Sequence, residues 1–203
     1  SAKGTDAIIL NAPGQIEIFD YYYKGNLPRY PLPRQRPLDE QDTTQQLQRI
    51  LNAHGRLWVV LWGVAESDPG RFVESWLDAH AYKSMDRWFG NVRLALYAAP
   101  LGAMTMQRSV EATLGQEIRL LGYSLGSDQA EAGDVLQLAL FWQASQPVGQ
   151  RYKVFTHLLG PGDTLWGQRD SEPGGGLRLT TTWPPGETIQ DNYGIPVLPG
   201  TPP

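Results

Sequence analysis

Three neighbouring stretches decide the class of fold: YKVFTHLL at residues 152–159, QRDSEPG at 168–174 and TTTWPPGE at 180–187. The first alternates apolar and polar residues, as does a β-strand with one buried face. A Gly-Pro-Gly-Asp turn at 160–163 and a second short strand through Trp166 and Gln168 follow it, which is typical of a hairpin. The tract predicts an antiparallel β-sandwich, and no part of it is an enzyme signature.

Outward from this tract, the hydrophobic period changes near residues 100–111, which predicts two domains. Apolar runs alternate with helical stretches in residues 1–103, which predicts a small α/β layer domain with a mixed sheet. A linker is expected at 104–111. Short strands separated by turn residues then predict the β-sandwich, at 112–203. Such sandwiches commonly have about seven or more strands, so further strands are expected beyond residue 203.

The same patterns predict the individual elements. In the first domain, strands are expected at 6–10, 56–62, 82–89 and 92–97, and helices at 15–23, 39–53 and 68–80. Asp68 is expected to be the N-cap of the last helix, with Pro69 in its first turn. In the second domain, strands are expected at 116–125, 135–143, 151–159, 164–169 and 187–197.

Composition excludes several classes of function. The net charge of -4 gives no basic surface for a phosphate backbone, so nucleic acid is not an expected partner. The absence of cysteine excludes disulfides, thiolate chemistry and zinc sites of the cysteine type. The longest apolar run, at 57–65, is far shorter than the ~20 residues that span a bilayer. We therefore expect a soluble piece excised from a larger protein.

Three segments carry a resemblance: the Asn-Ala-Pro-Gly-Gln start at 11–15, the Phe-Asp-Tyr-Tyr-Tyr run at 19–23, and the stretch from VFTHL at 154–158 to WPPGE at 183–187. Together they resemble the soluble C-terminal region of multi-pass bacterial glycosyltransferases, related to protein mannosyltransferases and aminoarabinose transferases, which take sugar from a polyprenyl-phosphate donor. The resemblance implies membrane helices before the soluble region and a location on the extracytoplasmic face of the bacterial cell membrane. It also implies catalytic acids in an early loop outside these residues, so no catalytic position is assigned here.

The aromatic residues supply the candidate glycan-binding positions, because aromatic faces stack on the C–H faces of sugars. Trp166 and Trp183 lie next to turns and are the predicted sugar platforms, with Gln168 and Asp170 as hydrogen-bonding neighbours. Four other tryptophans occupy strand or helix-stripe positions and are expected in the core: Trp58, Trp62, Trp76 and Trp142.

The proline-rich stretch at 24–37 holds four basic residues, Lys24, Arg29, Arg34 and Arg36. One interpretation is an extended, solvated connection that proline stiffens. The other is a contact with the membrane or with lipid phosphate, in which arginine pairs with phosphate oxygens.

Three further patterns are candidate sites. The GYSLG sequence at 122–126, with Asp134 and His157 after it, matches a serine-hydrolase nucleophile motif, but no helix-forming stretch follows it. The three histidines are isolated, and His157 is interpreted as a core or sheet histidine. Asp163, Asp170 and Glu172 fit no defined calcium loop and are interpreted as turn caps, with calcium as the alternative.

The sequence thus predicts no metal, no cofactor and no catalytic residue within these 203 residues. The expected function is that of a non-catalytic extracytoplasmic region of a membrane-embedded glycosyltransferase, which binds or orients an acceptor or glycan. Two alternatives stay open: a stand-alone secreted carbohydrate-binding or protein-interaction module, and a small serine hydrolase that uses Ser124.

Overall fold

The computed structural model describes residues 6–202, and the chain divides into two compact units at the junction of Ala99 and Pro100. Strands account for 39% of the described residues and helices for 24%, so the protein is mostly β. Each unit has its own hydrophobic core.

The first unit contains a mixed sheet. Its strands are β1 (Asp6–Leu10), β2 (Arg29–Pro31), β3 (Arg56–Leu61), β4 (Tyr82–Phe89) and β5 (Val92–Ala98). Its helices are α1 (Ile16–Tyr22), α2 (Glu40–Ala53), α3 (Val64–Ser67) and α4 (Phe72–His80). The strand order is β2-β1-β3-β5-β4. Strand β1 runs parallel to β2 and β3, whereas β5 runs antiparallel to β3 and β4, so the predicted mixed sheet is present.

The core of the first unit is one hydrophobic cluster that contains residues of the sheet and of two helices. Alternate residues of β1, β3 and β5 form the strand side of the core: Ala7, Ile9, Leu57, Val59, Leu61, Ala95 and Tyr97. The helical side comes from the apolar stripes of α2 and α4: Leu47, Ile50, Leu51, Val73, Trp76 and Leu77. Helix α2 begins where the Asp39 carboxylate accepts a hydrogen bond of 2.9 Å from the backbone N–H of Asp42, which satisfies one of the free donors of the first turn.

Helix α4 begins later than the sequence predicts. Residue 71 is the N-cap and has a left-handed backbone conformation, so Asp68 and Pro69 lie in the preceding turn. The prediction of Asp68 as the N-cap residue is wrong. Its carboxylate nevertheless caps the helix from that turn, because it accepts hydrogen bonds from the backbone N–H groups of Phe72 and Val73 at 2.7 and 2.9 Å.

The second unit is built from antiparallel strands. They are β6 (Arg108–Leu114), β7 (Ile118–Leu125), β8 (Val135–Ala144), β9 (Val154–Leu159), β10 (Leu165–Ser171) and β11 (Thr188–Pro196). Strands β11, β8, β7 and β6 pair in that order, and β9 pairs with β10 as a hairpin. Strand β6 begins inside the segment 104–111 that the sequence predicts as a linker.

The hairpin of β9 and β10 packs its inner side on the core of the second unit. On β8, Leu140 and Trp142 belong to this core, and Leu136 and Leu138 pack against it, so these four residues share one face as the sequence predicts. From β9, Val154 and Leu158 pack on the same cluster. Strand β10 passes close to the end of β11 at Gly167, where a Cβ atom would overlap the carbonyl oxygen of Pro196.

Candidate functional site

The hairpin of β9 and β10 turns an exposed face outward. Residues that lie opposite each other in an antiparallel pair project to the same side, and here Phe155 pairs with Asp170 and His157 with Gln168. We call the outward residues of this hairpin the hairpin face: Phe155, His157, Leu159, Leu165, Gln168 and Asp170. The structure thus brings two of the predicted glycan-binding residues, Gln168 and Asp170, onto one surface.

An aromatic ring lies beside the polar groups of this face. Phe155 is 66% exposed, and its ring makes an edge-on contact with that of His157, with 6.4 Å between the ring centres. Sequence reasoning missed Phe155 as a site residue. The period of two along β9 was the signal that could have found it, since Val154 and Leu158 point inward and Phe155, His157 and Leu159 point outward.

Some polar groups of the hairpin face are engaged in contacts within the hairpin, and others can still bond to a ligand. Oδ1 of Asp170 accepts a hydrogen bond of 3.3 Å from the backbone N–H of Thr156 and lies 3.5 Å from Nε2 of His157. Within residues 6–202, the Gln168 side chain has no hydrogen-bond partner. The side chain of His157 is 41% exposed, so of the two predicted interpretations this residue is a histidine of the sheet, in β9, and not one of the core.

The two predicted tryptophan platforms are both much less exposed than Phe155. Trp183 is 5% exposed and belongs to the core, where its indole N–H donates a hydrogen bond of 2.9 Å to the carbonyl of Arg178. Trp166 is half-buried, and Gly160 lies so close to its indole nitrogen that a Cβ atom at that glycine would overlap the ring. Phe155 is therefore the exposed ring beside Gln168 and Asp170.

The four predicted membrane-contact residues are exposed, and three of them lie near carboxylates. The guanidinium of Arg29 is 3.2 Å from Asp20, and Arg29 also begins the edge strand β2. Looser pairs join Arg34 to Asp42 at 3.6 Å and Arg36 to Glu66 at 4.0 Å. Exposed pairs of this kind contribute about 0–1 kcal/mol, so the arginines can exchange partners at little cost.

Lys24 lies beside an exposed aromatic ring. Its ammonium nitrogen is 5.4 Å from the ring centre of Tyr21. Tyr21 and Tyr22 are both highly exposed at the end of α1.

A second exposed aromatic pair lies at the turn between β4 and β5. Trp88 is 68% exposed and Phe89 is 60% exposed, directly before the turn residues Gly90 and Asn91. We call Trp88 and Phe89 the aromatic tip. The guanidinium of Arg93 lies 5.9 Å from the ring centre of Trp88. Sequence reasoning missed this pair, although two consecutive aromatic residues before a Gly-Asn turn are a visible signal.

The serine-hydrolase motif has no nucleophile geometry. Ser124 lies inside β7 and is 2% exposed, and the chain continues from this strand through a loop to β8. A nucleophile elbow passes directly from a strand into a helix, which is absent at this point. The glycines of the motif serve packing instead, because a Cβ atom at Gly122 would overlap the carbonyl oxygen of Arg108 and one at Gly126 would lie 2.7 Å from Oε1 of Gln137.

The first unit contains a buried network of charges that sequence reasoning also missed. Lys83 of β4 lies between two carboxylates of α4, at 2.9 Å from Glu74 and 2.8 Å from Asp78, and all three side chains are buried. Arg93 joins Glu74 to Asp86, and the Tyr97 hydroxyl donates to Asp78 at 2.8 Å. Asp78 follows Glu74 by four positions, and Lys83 follows it by nine. Two carboxylates at i and i+4 lie on the same side of a helix, and this spacing was the sequence signal for a shared cation.

This network shifts the pKa values of its members. Burial alone would raise the pKa of Glu74, but the charge of Lys83 and hydrogen bonds from Lys83 and Arg71 outweigh it and lower the pKa from 4.5 to about 2. Burial raises the pKa of Asp78 above its ordinary value despite the neighbouring Lys83. Since Lys83, Glu74 and Asp78 are buried and paired with one another, the network serves to hold α4 against the β4–β5 hairpin.

The second unit also contains a cavity of about 380 Å³. It lies between the β6–β7 turn and the loop that leads from β8 to β9, and its polar lining includes Gln116, Glu117, Gln146 and Gln150. The aromatic ring of Tyr152 is part of the wall.

The described part of the chain contains neither a metal-binding cluster nor a membrane-spanning helix. No group of three or more histidine and acidic side chains there is arranged to hold a metal ion. Of the acids considered for calcium, Glu172 instead pairs with Arg151 through two short hydrogen bonds of 2.5 and 2.7 Å. Among residues 6–202, no helix has both the length and the apolar character needed to cross a bilayer.

Comparison with known protein families, with curated proteins and with solved structures finds no match to this chain.

Proposed function

We propose that this chain is a non-catalytic extracytoplasmic region of a membrane-embedded bacterial glycosyltransferase, and that its second unit binds or orients the glycan or acceptor. The resemblance in residues 11–23 and 154–187 suggests the parent enzyme. The hairpin face is the observation that carries the binding role, because it places an exposed aromatic ring beside an amide and a carboxylate.

The chemistry of the hairpin face favours a neutral glycan. The ring of Phe155 offers an apolar surface to the C–H face of a sugar. Next to it, Gln168 can both donate and accept hydrogen bonds, and Asp170 accepts them, which matches the hydroxyl groups of a sugar. His157 supplies a further ring nitrogen at the same surface.

We also propose the finer description of the fold, in which the first unit is an α/β layer domain and the second unit is a β-sandwich. Two observations support it. Residues of α2 and α4 share one hydrophobic cluster with alternate residues of the mixed sheet. In the second unit, Val154 and Leu158 of the β9–β10 hairpin pack on the core that β8 and β11 also line, as expected if two layers of strands face each other.

The membrane is the second proposed partner. The parent enzyme would hold this region at the extracytoplasmic surface through its membrane helices. Lys24 beside the exposed ring of Tyr21, and the aromatic tip of the first unit, support a surface close to lipid headgroups, since tryptophan, tyrosine and basic residues concentrate at membrane interfaces. Arg29, Arg34 and Arg36 are the proposed additional phosphate contacts.

The binding role is tested with the Phe155→Ala variant. The chain is titrated with a panel of neutral oligosaccharides, and chemical shifts of backbone amides report where and how tightly each binds. Because the ring is the main apolar contact, its removal is expected to raise the dissociation constant at the hairpin face about tenfold or more.

Phe89→Ala, which removes an equally exposed ring from the first unit, is the matched control and should leave binding unchanged. The proposal is contradicted if the Phe155→Ala variant binds an oligosaccharide as tightly as the parent chain does. It is also contradicted if no oligosaccharide shifts the backbone amides of β9 and β10.

A further inference from the structure

We propose that the cavity between the β6–β7 turn and the β8–β9 loop is a second binding site, for a single neutral saccharide ring. The inference shares with the proposed function only the class of ligand, because the cavity and the hairpin face are built from different residues. Its volume of about 380 Å³ lies in the range of small-molecule sites, which begins near roughly 300 Å³.

The backbone around the cavity is held in place by hydrogen bonds. The Ser145 hydroxyl lies at hydrogen-bond distance from the carbonyls of Gln116 and Glu117, at 3.0 and 3.2 Å, which ties the β6–β7 turn to the end of β8. On the other side, the buried Thr180 hydroxyl donates to the carbonyl of Gln150 at 2.6 Å and accepts from the backbone N–H of Tyr152 at 3.1 Å. The walls are therefore set before any ligand arrives, which lowers the entropic cost of binding.

In the part of the chain that the structure describes, the polar side chains that line the cavity make no hydrogen bonds to other residues. The amides of Gln116, Gln146 and Gln150 and the carboxylate of Glu117 have no hydrogen-bond partner among residues 6–202. Only the backbone carbonyls of Gln116, Glu117 and Gln150 take part in the bonds that hold the walls. Gln116, Gln146 and Gln150 are exposed and Glu117 is half-buried, so four polar groups border one space at the surface and can bond to a ligand there.

The composition of the lining selects the ligand. None of the lining residues is a lysine or an arginine, so the cavity offers no counter-charge to phosphate or to another anion. Amides donate and accept at once, as sugar hydroxyls do, and the carboxylate adds an acceptor. The partly exposed ring of Tyr152 and the side chain of Leu114 give the apolar surface that a sugar ring needs.

The test is a titration of the chain with methyl mannoside, methyl glucoside, methyl galactoside and their disaccharides, at concentrations up to about 10 mM, where a millimolar dissociation constant is measurable. We expect at least one sugar to shift the backbone amides of Gly115, Gln116, Gly149 and Gln150 in a saturable way. The double variant Gln116→Ala/Gln150→Ala should raise that dissociation constant about tenfold or more, because bound hydroxyl groups lose their partners.

Matched variants separate this site from the hairpin face. Tyr152→Phe keeps the ring and should bind as the parent chain does, whereas Tyr152→Ala should bind more weakly. Phe155→Ala should leave the shifts at the cavity unchanged. The inference is overturned if no sugar shifts these amides, if the glutamine double variant binds as well as the parent chain, or if inorganic phosphate binds there more tightly than the sugars. Binding at the hairpin face alone would leave the proposed function standing and remove only this site.

Discussion

At the scale of single residues, the buried network around Lys83 is the strongest electrostatic feature of the protein. Glu74 interacts with Lys83, Arg71 and Arg93, so three cations surround one buried carboxylate. A buried charge that loses its partner is costly, whereas a buried charge with several partners favours its ionised form. Stability should therefore depend on the protonation of Glu74.

The Glu74→Gln variant tests this dependence. The pKa of Glu74 is about 2 in the folded chain against 4.5 without the network, so its ionised form stabilises the fold fully above pH 4.5. This contribution is lost as the pH falls from 4.5 through about 2. At pH 7 we expect the variant to be less stable by on the order of 3 kcal/mol, measured by urea unfolding, and the difference should shrink over that acidic range.

A suitable control for this experiment is Glu187→Gln, an exposed carboxylate, whose effect should stay within about 0.5 kcal/mol at every pH. Asp78 is present in the parent chain and in the Glu74→Gln variant. Because its pKa is raised, its contribution to the free energy of unfolding decreases as the pH rises, which is opposite to the effect of Glu74. A stability difference that shrinks as the pH falls is therefore attributed to Glu74. Two parallel stability curves between pH 7 and pH 2 would rule out the assigned role of Glu74.

At the scale of elements, the aromatic tip of the β4–β5 hairpin lies outside the hydrophobic core of its own unit. Trp88 and Phe89 are neighbours on one strand, so their side chains leave opposite faces of the ribbon, and both are largely exposed. An apolar end that is exposed on both sides suits insertion among lipid headgroups better than contact with a flat protein surface. Arg87, exposed next to Trp88, can pair with an anionic headgroup.

Flotation with lipid vesicles tests the role of this tip. We expect the chain to bind vesicles that contain anionic lipid, and Trp88→Ala/Phe89→Ala to reduce the bound fraction about tenfold or more, since each ring contributes roughly 1.5–3 kcal/mol when buried. Phe155→Ala/Leu159→Ala removes a similar exposed apolar area from the hairpin face and should bind vesicles normally. Equal loss in both double variants would indicate nonspecific adhesion.

The elements that the sequence predicts well are those with a clear hydrophobic period. Strand β3 alternates buried and half-buried residues, and it was predicted within one residue of its observed end. The sequence does not predict strands β2 and β6, and the reason is physical. Strand β2 has three residues, one of them proline, and β6 is exposed along most of its length, so neither presents a buried face that would produce a period of two.

The candidate site could also be predicted only where the local sequence pattern determines which way a side chain points. Gln168 and Asp170 are two residues apart on one strand, which places them on one face of any regular strand. The position of Trp183 depends instead on a short helical turn at Thr180–Thr182 and on packing with Trp142, and neither is encoded in the local pattern. Tertiary contacts of this kind decide whether a tryptophan near a turn is a binding platform or part of the core.

At the scale of the whole molecule, the two units differ in the chemistry of their surfaces. The first presents exposed aromatic residues with Lys24 and Arg87 nearby, which suits a lipid surface. The second presents the hairpin face and the polar cavity, which suit neutral glycans. A region that holds a glycan beside a membrane would need both kinds of surface, and this division is why we favour the glycosyltransferase context over a free binding module.

That context is tested by sequencing the coding DNA upstream of Ser1. We expect several segments of roughly twenty apolar residues each, with an acidic residue in the loop after the first segment, as the resemblance to polyprenyl-phosphate-dependent transferases implies. A secretion signal or a soluble domain directly upstream would instead support the stand-alone carbohydrate-binding or protein-interaction module. Glycan binding at the hairpin face would survive that outcome, because it depends on Phe155, Gln168 and Asp170 and not on what precedes them.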